Sequence, residues 1–288
     1  MALLVCPTCR TMKDGRLELR TVERRGDELA CECGAAYPIV DGIPRITPDA
    51  TAAPEVLDDL TLEHLSIYLT ADWADSGADQ LHARIAARAS DPVAAAVELG
   101  CSAGRIVAEL AKGARHVLGI DVNATILARA KRLLDGETVA YQRRLIGTSY
   151  EPATVSAPAA LDAGRFTLVC GDALDPPLVP QHFDRVVALN VLDAVPHPRQ
   201  LLSVMSRLCA PGGELIIASP YQWHDGIVAK EERFGGADPA AELVRILTSG
   251  ELGAVYAIEE QAEVPWELRR NARSTITFRS HYVRARKA

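Results

Sequence analysis

Between residues 94 and 104 the chain reads Ala-Ala-Ala-Val-Glu-Leu-Gly-Cys-Ser-Ala-Gly, and Arg105-Ile-Val-Ala-Glu-Leu-Ala follows at helical spacing. An apolar run ending at Glu98, a short turn bracketed by Gly100 and Gly104, and an amphipathic start predict a buried strand, a tight loop and a helix. Glycine suits the loop because the backbone must turn sharply there and approach a ligand closely. The amides at the helix start favour polar or anionic groups. His116-Val-Leu-Gly-Ile-Asp121 then reads as a second strand ending in an acid about twenty residues after the loop, where nucleotide-binding α/β folds hold a ribose. The glycine spacing alone is equally compatible with plain helix-strand packing.

The segments that follow narrow the choice. Glu98-Leu-Gly-Cys-Ser-Ala-Gly, Gly119-Ile-Asp121, Cys170-Gly-Asp172-Ala, Phe183-Asp-Arg-Val-Val-Ala-Leu-Asn190 and Pro211-Gly-Gly-Glu-Leu-Ile-Ile resemble, in this order, the successive motifs of class I S-adenosylmethionine-dependent methyltransferases. The resemblance implies a Rossmann-like α/β sheet with helices on both faces, and S-adenosylmethionine as cofactor. It places the methionine part against Glu98, Gly100, Cys101, Ser102 and Gly104, the ribose on Asp121 beside Val122, and the adenine near Gly171, Asp172 and Ala173, with Asn190 completing the set. Ser102 stands where many members have a glycine, which should narrow the space beside the cofactor without closing it.

A chain of 288 residues and 31.0 kDa accommodates one full α/β domain and a small addition. Its net charge of −7 and pI near 5.6 argue against a broadly basic nucleic-acid surface and favour a small acceptor. No apolar run approaches the roughly 20 residues of a membrane span, and the first residues are too short for a signal peptide. The expectation is a soluble, cytoplasmic protein.

Residues 1–47 are expected to form a unit of their own. Cys6-Pro-Thr-Cys9 and Cys31-Glu-Cys33-Gly34 set two thiol pairs across a polar, hairpin-like stretch, the arrangement a structural zinc needs for four tetrahedral sulfur ligands. So short a segment has little core, and metal binding would supply its folding energy. Four buried or free thiols are the alternative, and a disulfide framework is not expected without a secretory signal. Together with Leu29-Ala-Cys-Glu-Cys-Gly-Ala-Ala-Tyr37-Pro-Ile-Val-Asp41-Gly-Ile-Pro44, this stretch resembles the small zinc-ribbon proteins that accompany and activate methyltransferases. It departs from them by a Cys-x-Cys where Cys-x-x-Cys is usual. The resemblance implies a ribbon that stabilises or gates the enzyme in cis, and leaves room for a protein partner.

Thr47 to Pro54 reads as a linker. Residues 57–72 and 81–89 then read as cap helices, with Leu57, Leu60, Leu65 and Leu69 as an apolar face and His64, Tyr68 and Trp73 able to line an acceptor pocket. Residues 48–92 thus separate the ribbon from a methyltransferase domain over 93–288. Asn123 caps the second helix of that domain. Residues 135–164 show no clean period and carry Gly147, Pro152 and Pro158, which predicts an insertion or lid.

Parallel strands expected over 166–170, 186–189 and 215–218 send their loops to the carboxyl edge, where such sheets bind ligands. Asp193, Tyr221 and His224 are the candidate catalytic groups by that position. Trp223 could stack on an acceptor ring, and Arg269, with Arg270 and Arg273, could hold a substrate carboxylate. Packing and surface roles are the competing readings for all of these. Leu189-Asn-Val-Leu-Asp193, Ala218-Ser-Pro-Tyr-Gln-Trp223 and Val264-Pro-Trp-Glu-Leu-Arg269 are similar to the methyltransferase domain of ovothiol biosynthesis, which methylates an imidazole nitrogen. That similarity implies N-methylation of an amino-acid-derived or heteroaromatic acceptor. O- or C-methylation of a natural-product intermediate is the rival chemistry, and a non-catalytic adaptor with a cofactor-binding domain is the rival class.

Overall fold

The computed structural model describes residues 3–13, 16–47, 57–74, 80–89, 91–236 and 238–288; most of the expected linker lies outside them. The chain begins with short strands β1 (Thr11–Lys13), β2 (Arg16–Glu18), β3 (Glu23–Arg25), β4 (Glu28–Ala30), β5 (Ala36–Val40) and β6 (Ile43–Ile46). Helices α1 (Asp59–Leu69) and α2 (Gln80–Ala89) follow. The larger part runs β7 (Val93–Leu99), α3 (Arg105–Leu110), β8 (Ala114–Asp121), α4 (Ala124–Leu134), β9 (Thr138–Ile146), β10 (Ser149–Ser156), β11 (Phe166–Gly171), β12 (Phe183–Leu189), α5 (Pro198–Leu208), β13 (Cys209–Ser219), α6 (Pro239–Ser249), β14 (Tyr256–Asn271) and β15 (Ser274–Lys287).

The central sheet has the order β14-β15-β13-β12-β7-β8-β11-β6-β5-β4-β3. Strands β13, β12, β7, β8 and β11 are mutually parallel, while β15 runs antiparallel to β13. The order reverses between β7 and β12, so the loops after these strands diverge and open a crevice at the carboxyl edge. The five parallel strands are short and rich in Ala, Val, Leu and Ile because helices cover both faces. Ala96, Val97, Val186, Val187, Ile216 and Ile217 are all fully buried. Asn123 caps α4 as expected, its side-chain oxygen accepting from the amides of Thr125 at 3.1 Å and Ile126 at 3.2 Å.

The cysteine-bearing segment is continuous with this sheet. Strand β6 pairs in parallel with β11 through Cys170↔Arg45 and Gly171↔Ile46, and the Val5 amide donates to Pro177 O at 2.9 Å. Leu4, Leu29, Tyr37 and Ile46 share one hydrophobic cluster with Val169, Leu174 and Leu178. A segment with so few apolar residues completes its core by borrowing the edge of the larger sheet.

Two local expectations change. Residues 138–156 form an antiparallel hairpin of β9 and β10, whose alternation is blurred because only part of one face packs inward. Leu65 and Leu69 are buried, but Leu57 is 49% and Leu60 78% exposed. Helix α1 starts after Asp58, whose side chain accepts from Thr61 N; Leu57 therefore precedes the helix, and Leu60 sits in its solvated first turn.

Candidate functional site

The turn after β7 is built by conformations that few residues adopt. Gly100 and Gly104 have φ of 78° and 81°, and Ser102 is left-handed at 45°. A Cβ on Gly100 would meet the Val191 side chain, so glycine there answers both the turn and a close approach. The amides of Gly100 and Cys101 donate to Ile120 O at 2.7 and 2.9 Å, which ties the turn to β8. The Asp121 carboxylate then accepts from Ser102 N through one oxygen and from Asn123 N through the other, each at 2.9 Å. Each oxygen keeps a further lone pair. Burial raises the Asp121 carboxyl, and the Asn123 and Ser102 amides oppose that rise.

This turn forms the floor of a cavity of about 410 Å³ at the carboxyl edge, within the usual range for small-ligand sites of roughly 300 to 1,000 Å³. Of the expected cofactor residues, Glu98, Gly100, Cys101, Ser102, Asp121, Val122, Gly171, Asp172, Ala173 and Asn190 line it. Gly104 lies behind them as the left-handed cap of α3. The Asp172 carboxylate accepts from Leu174 N at 2.8 Å and so shapes its own loop. Asn190, with φ of 55°, accepts from Ser280 Oγ at 2.9 Å.

The opposite wall comes from α1, the turn after it and β14. His64 and Tyr68, one turn apart on α1, meet with ring centroids 4.5 Å apart and planes tilted by 43°, and both line the cavity with Trp266. Burial lowers the His64 imidazole below its ordinary value. It pushes the Tyr68 hydroxyl up to about 12, helped by the charges of Asp72, Asp121 and Asp193. Trp266 belongs to a segment singled out only for its resemblance, and its half-buried position on a long hairpin has no local signature. Leu81 and His82, from α2, also reach the cavity.

The structure does not bring Asp193, Tyr221, Trp223, His224 or Arg269 to the wall of this cavity. Asp193 is turned inward, 2% exposed, accepting from Ser219 Oγ at 3.0 Å and Gln222 N at 2.9 Å. Tyr221 OH meets His281 Nδ1 at 2.8 Å, and Trp223 packs edge-on against Phe234 at 5.6 Å. His224 donates its amide to Asp193 O at 3.2 Å. Asp193, in the loop after β12, tethers the loop after β13: its carboxylate accepts from Ser219 and Gln222 and its carbonyl from the His224 amide, while the His224 side chain is exposed. Arg269 lies near the tip of the β14-β15 hairpin, beyond Trp266.

The four cysteines converge. Their sulfur atoms all lie within 4.8 Å of one another, with Cys6 and Cys33 at 3.7 Å and Cys9 and Cys31 at 3.6 Å. A tetrahedral zinc with Zn–S bonds of about 2.3 Å spaces its sulfurs by roughly 3.8 Å, so the donor set and its spacing fit that ion.

The strand order, the glycine turn and the acid-lined cavity at the switch point define the class I methyltransferase fold. Residues 97–217 match the sequence profile described as "Methyltransferase domain", and this stretch is a methyltransferase domain of the S-adenosylmethionine-dependent type. A curated relative, the ubiquinone biosynthesis O-methyltransferase of Methylococcus capsulatus, is 29% identical over 126 residues. The match spans 43% of this chain and 42% of that protein's length. Among solved structures, the N-methyltransferase NodS of Bradyrhizobium japonicum WM9 is 17% identical with a TM-score of 0.45, over 72% of this chain and 93% of its own. Magnesium protoporphyrin IX methyltransferase of Synechocystis PCC 6803 gives 16% and 0.46, over 82% and 87%. No helix among the described residues is long and apolar enough to cross a membrane.

Proposed function

We propose that the whole chain transfers a methyl group from S-adenosylmethionine to a small amino-acid-derived or heteroaromatic acceptor, at nitrogen. The observation that carries this reading is a single cavity with carboxylates and the glycine turn on one wall and His64, Tyr68 and Trp266 on the other. Glu98 and the 100–104 turn take the methionine part of the cofactor, Asp121 the ribose hydroxyls, and Asp172 with Ala173 the adenine edge. When bound, the cofactor supplies an electrophilic methyl on a sulfonium. The chain's own task is then to align the acceptor lone pair and to exclude water. Tyr68 and Trp266 offer half-buried aromatic rings to an acceptor ring. Asp193, Tyr221, Trp223 and His224 shape the loop behind this wall, and Arg269 meets only the outer end of a long acceptor.

The curated relative matched over 126 residues is an O-methyltransferase, and one cofactor-binding fold serves oxygen and nitrogen acceptors alike; an oxygen acceptor is therefore the second reading. Cys6, Cys9, Cys31 and Cys33 hold one structural zinc, which fixes the first strands against β11. Incubation of the protein with cofactor and a panel of imidazoles, amines and phenols, followed by mass spectrometry, tests the proposal. A gain of one methyl on a nitrogen acceptor is expected. Gain on phenols alone would favour oxygen, and no gain together with no saturable cofactor binding would favour an adaptor.

A further inference from the structure

Helix α1 is fastened to two hairpins over the carboxyl edge. Glu63 accepts from Arg270 of β14 at 3.1 Å and also pairs with Arg144 of β9. Ser66 Oγ accepts from Arg144 N at 2.8 Å, and Thr70, just past the helix, meets Tyr141 OH through its Oγ1 at 2.9 Å. These ties flank His64 and Tyr68 along the chain, so a fixed stretch of helix holds both rings at the cavity wall.

The Tyr68 hydroxyl is bracketed from both sides of the crevice. The charges of Asp72, Asp121 and Asp193 all act on it. Asp121 ends β8 and Asp193 follows β12, the strands on either side of β7. A hydroxyl within reach of both lies over the end of β7, where the glycine turn begins. On the cofactor reading above, the sulfonium lies there, between the ribose on Asp121 and the loop after β12.

His64 is the imidazole beside that point. Its ring centroid is 4.5 Å from that of Tyr68, and neither ring nitrogen has a hydrogen-bond partner among the described residues. Two other histidines of this region are engaged: His82 Nε2 stands 4.0 Å from Asp72 Oδ1, and His281 Nδ1 meets Tyr221 OH at 2.8 Å behind the wall. Burial lowers the His64 imidazole against the opposing charge of Asp121, which leaves it neutral and able to accept a proton. The Tyr68 hydroxyl, pushed up to about 12, keeps its own. Asp72, His82, Glu98, Arg105 and Asp172 are the other charged or titratable groups on the cavity wall, while Arg144 and Arg270, from the two hairpins, face Glu63.

We propose that His64 is the catalytic base of methyl transfer, taking the proton that the acceptor gives up on methylation. The inference rests on the cavity being the site of that transfer. The acceptor nitrogen forms its bond to the methyl carbon as the carbon–sulfur bond breaks, the electron pair of that bond staying on sulfur. Positive charge thus moves from sulfur to the acceptor, whose N–H proton passes to a ring nitrogen of His64 and on to water.

Two measurements test it. S-Adenosylmethionine and S-adenosylhomocysteine differ by the methyl and its charge. In NMR titrations of the parent, with the His64 signal identified by its loss in His64→Gln, the imidazole should titrate lower in the S-adenosylmethionine complex by about half a pH unit or more. Equal titration in both complexes would overturn the placement. Histamine and tyramine then serve as acceptors, presenting an imidazole, an amine and a phenol between them. His64→Gln should lose about a hundredfold in kcat, keep its affinity for S-adenosylhomocysteine within about twofold, and lose the acid limb on which the parent's rate rises with pH. His64→Asn repeats the comparison with a shorter amide, and melting temperatures monitor the fold of each. Variants that keep the limb and a rate within about threefold of the parent would overturn the role of His64 while leaving the cofactor site standing. A parent that binds both cofactor forms but methylates neither probe would overturn the acceptor reading beneath the proposal, and one that binds neither form would overturn the site itself.

Discussion

Replacing Asp121 by alanine removes a side chain that both organises the glycine turn and lines the cavity. Its two oxygens accept from Ser102 N and Asn123 N, so the variant frees two backbone amides, one in the turn after β7 and one just past β8, both in partly exposed residues. Water can reach them, and the low end of the penalty for an unsatisfied donor applies, about 1 kcal/mol each. The sum of about 2 kcal/mol corresponds to a fall in melting temperature of roughly 4 to 8 °C for a chain of this size. Affinity suffers separately. Loss of a charged acceptor for ribose hydroxyls costs on the order of 1.5 to 3 kcal/mol per bond, so S-adenosylhomocysteine should bind at least about tenfold more weakly. Scanning fluorimetry and titration calorimetry at a temperature where the variant is fully folded separate the two effects. A lowered melting temperature with an unchanged dissociation constant would show that the carboxylate only braces the turn. No change in either would refute the reading of β8.

Other outcomes follow from the same geometry. The purified protein should contain about one zinc per chain, and Cys9→Ser should lose the metal and melt at lower temperature; metal analysis that finds no zinc would remove the cluster's proposed role. Tyr221→Phe breaks the bond to His281 and should cost about 1 kcal/mol of stability while leaving methyl transfer within about twofold; a large fall in turnover without loss of cofactor affinity would return Tyr221 to the acceptor site. Burial, reinforced by the Asp72 and Asp121 charges, raises Glu98 well above the ordinary carboxyl value. The folded cofactor-free protein therefore binds a proton that the unfolded chain has released, and its stability falls as pH rises from the ordinary carboxyl range toward the raised value. Melting temperatures of parent and Glu98→Gln between about pH 5 and pH 8 should diverge, the variant falling less steeply; parallel curves would contradict it.

The glycine-turn wall of the cavity was legible in the sequence because its determinants are local. A strand, a turn demanding left-handed residues at 100, 102 and 104, and an acid closing the next strand all lie within about thirty residues of chain, and their chemistry survives any arrangement of the rest. The same holds for the Asn123 cap and for the cysteine pairs, where spacing alone limits what the residues can do. The opposite wall of the cavity was decided by tertiary structure. His64, Tyr68, Asp72 and Trp266 meet across some two hundred residues because α1 and the β14-β15 hairpin converge over the carboxyl edge, and no periodicity in either segment records that meeting. Asp193, Tyr221, Trp223 and His224 carry the right chemistry at the right edge, yet the buried Asp193 carboxylate is satisfied by Ser219 and Gln222 and none of the four lines the cavity. Hydrogen-bond satisfaction between distant loops fixes the direction of those side chains, and that is information a linear pattern of residue types does not contain.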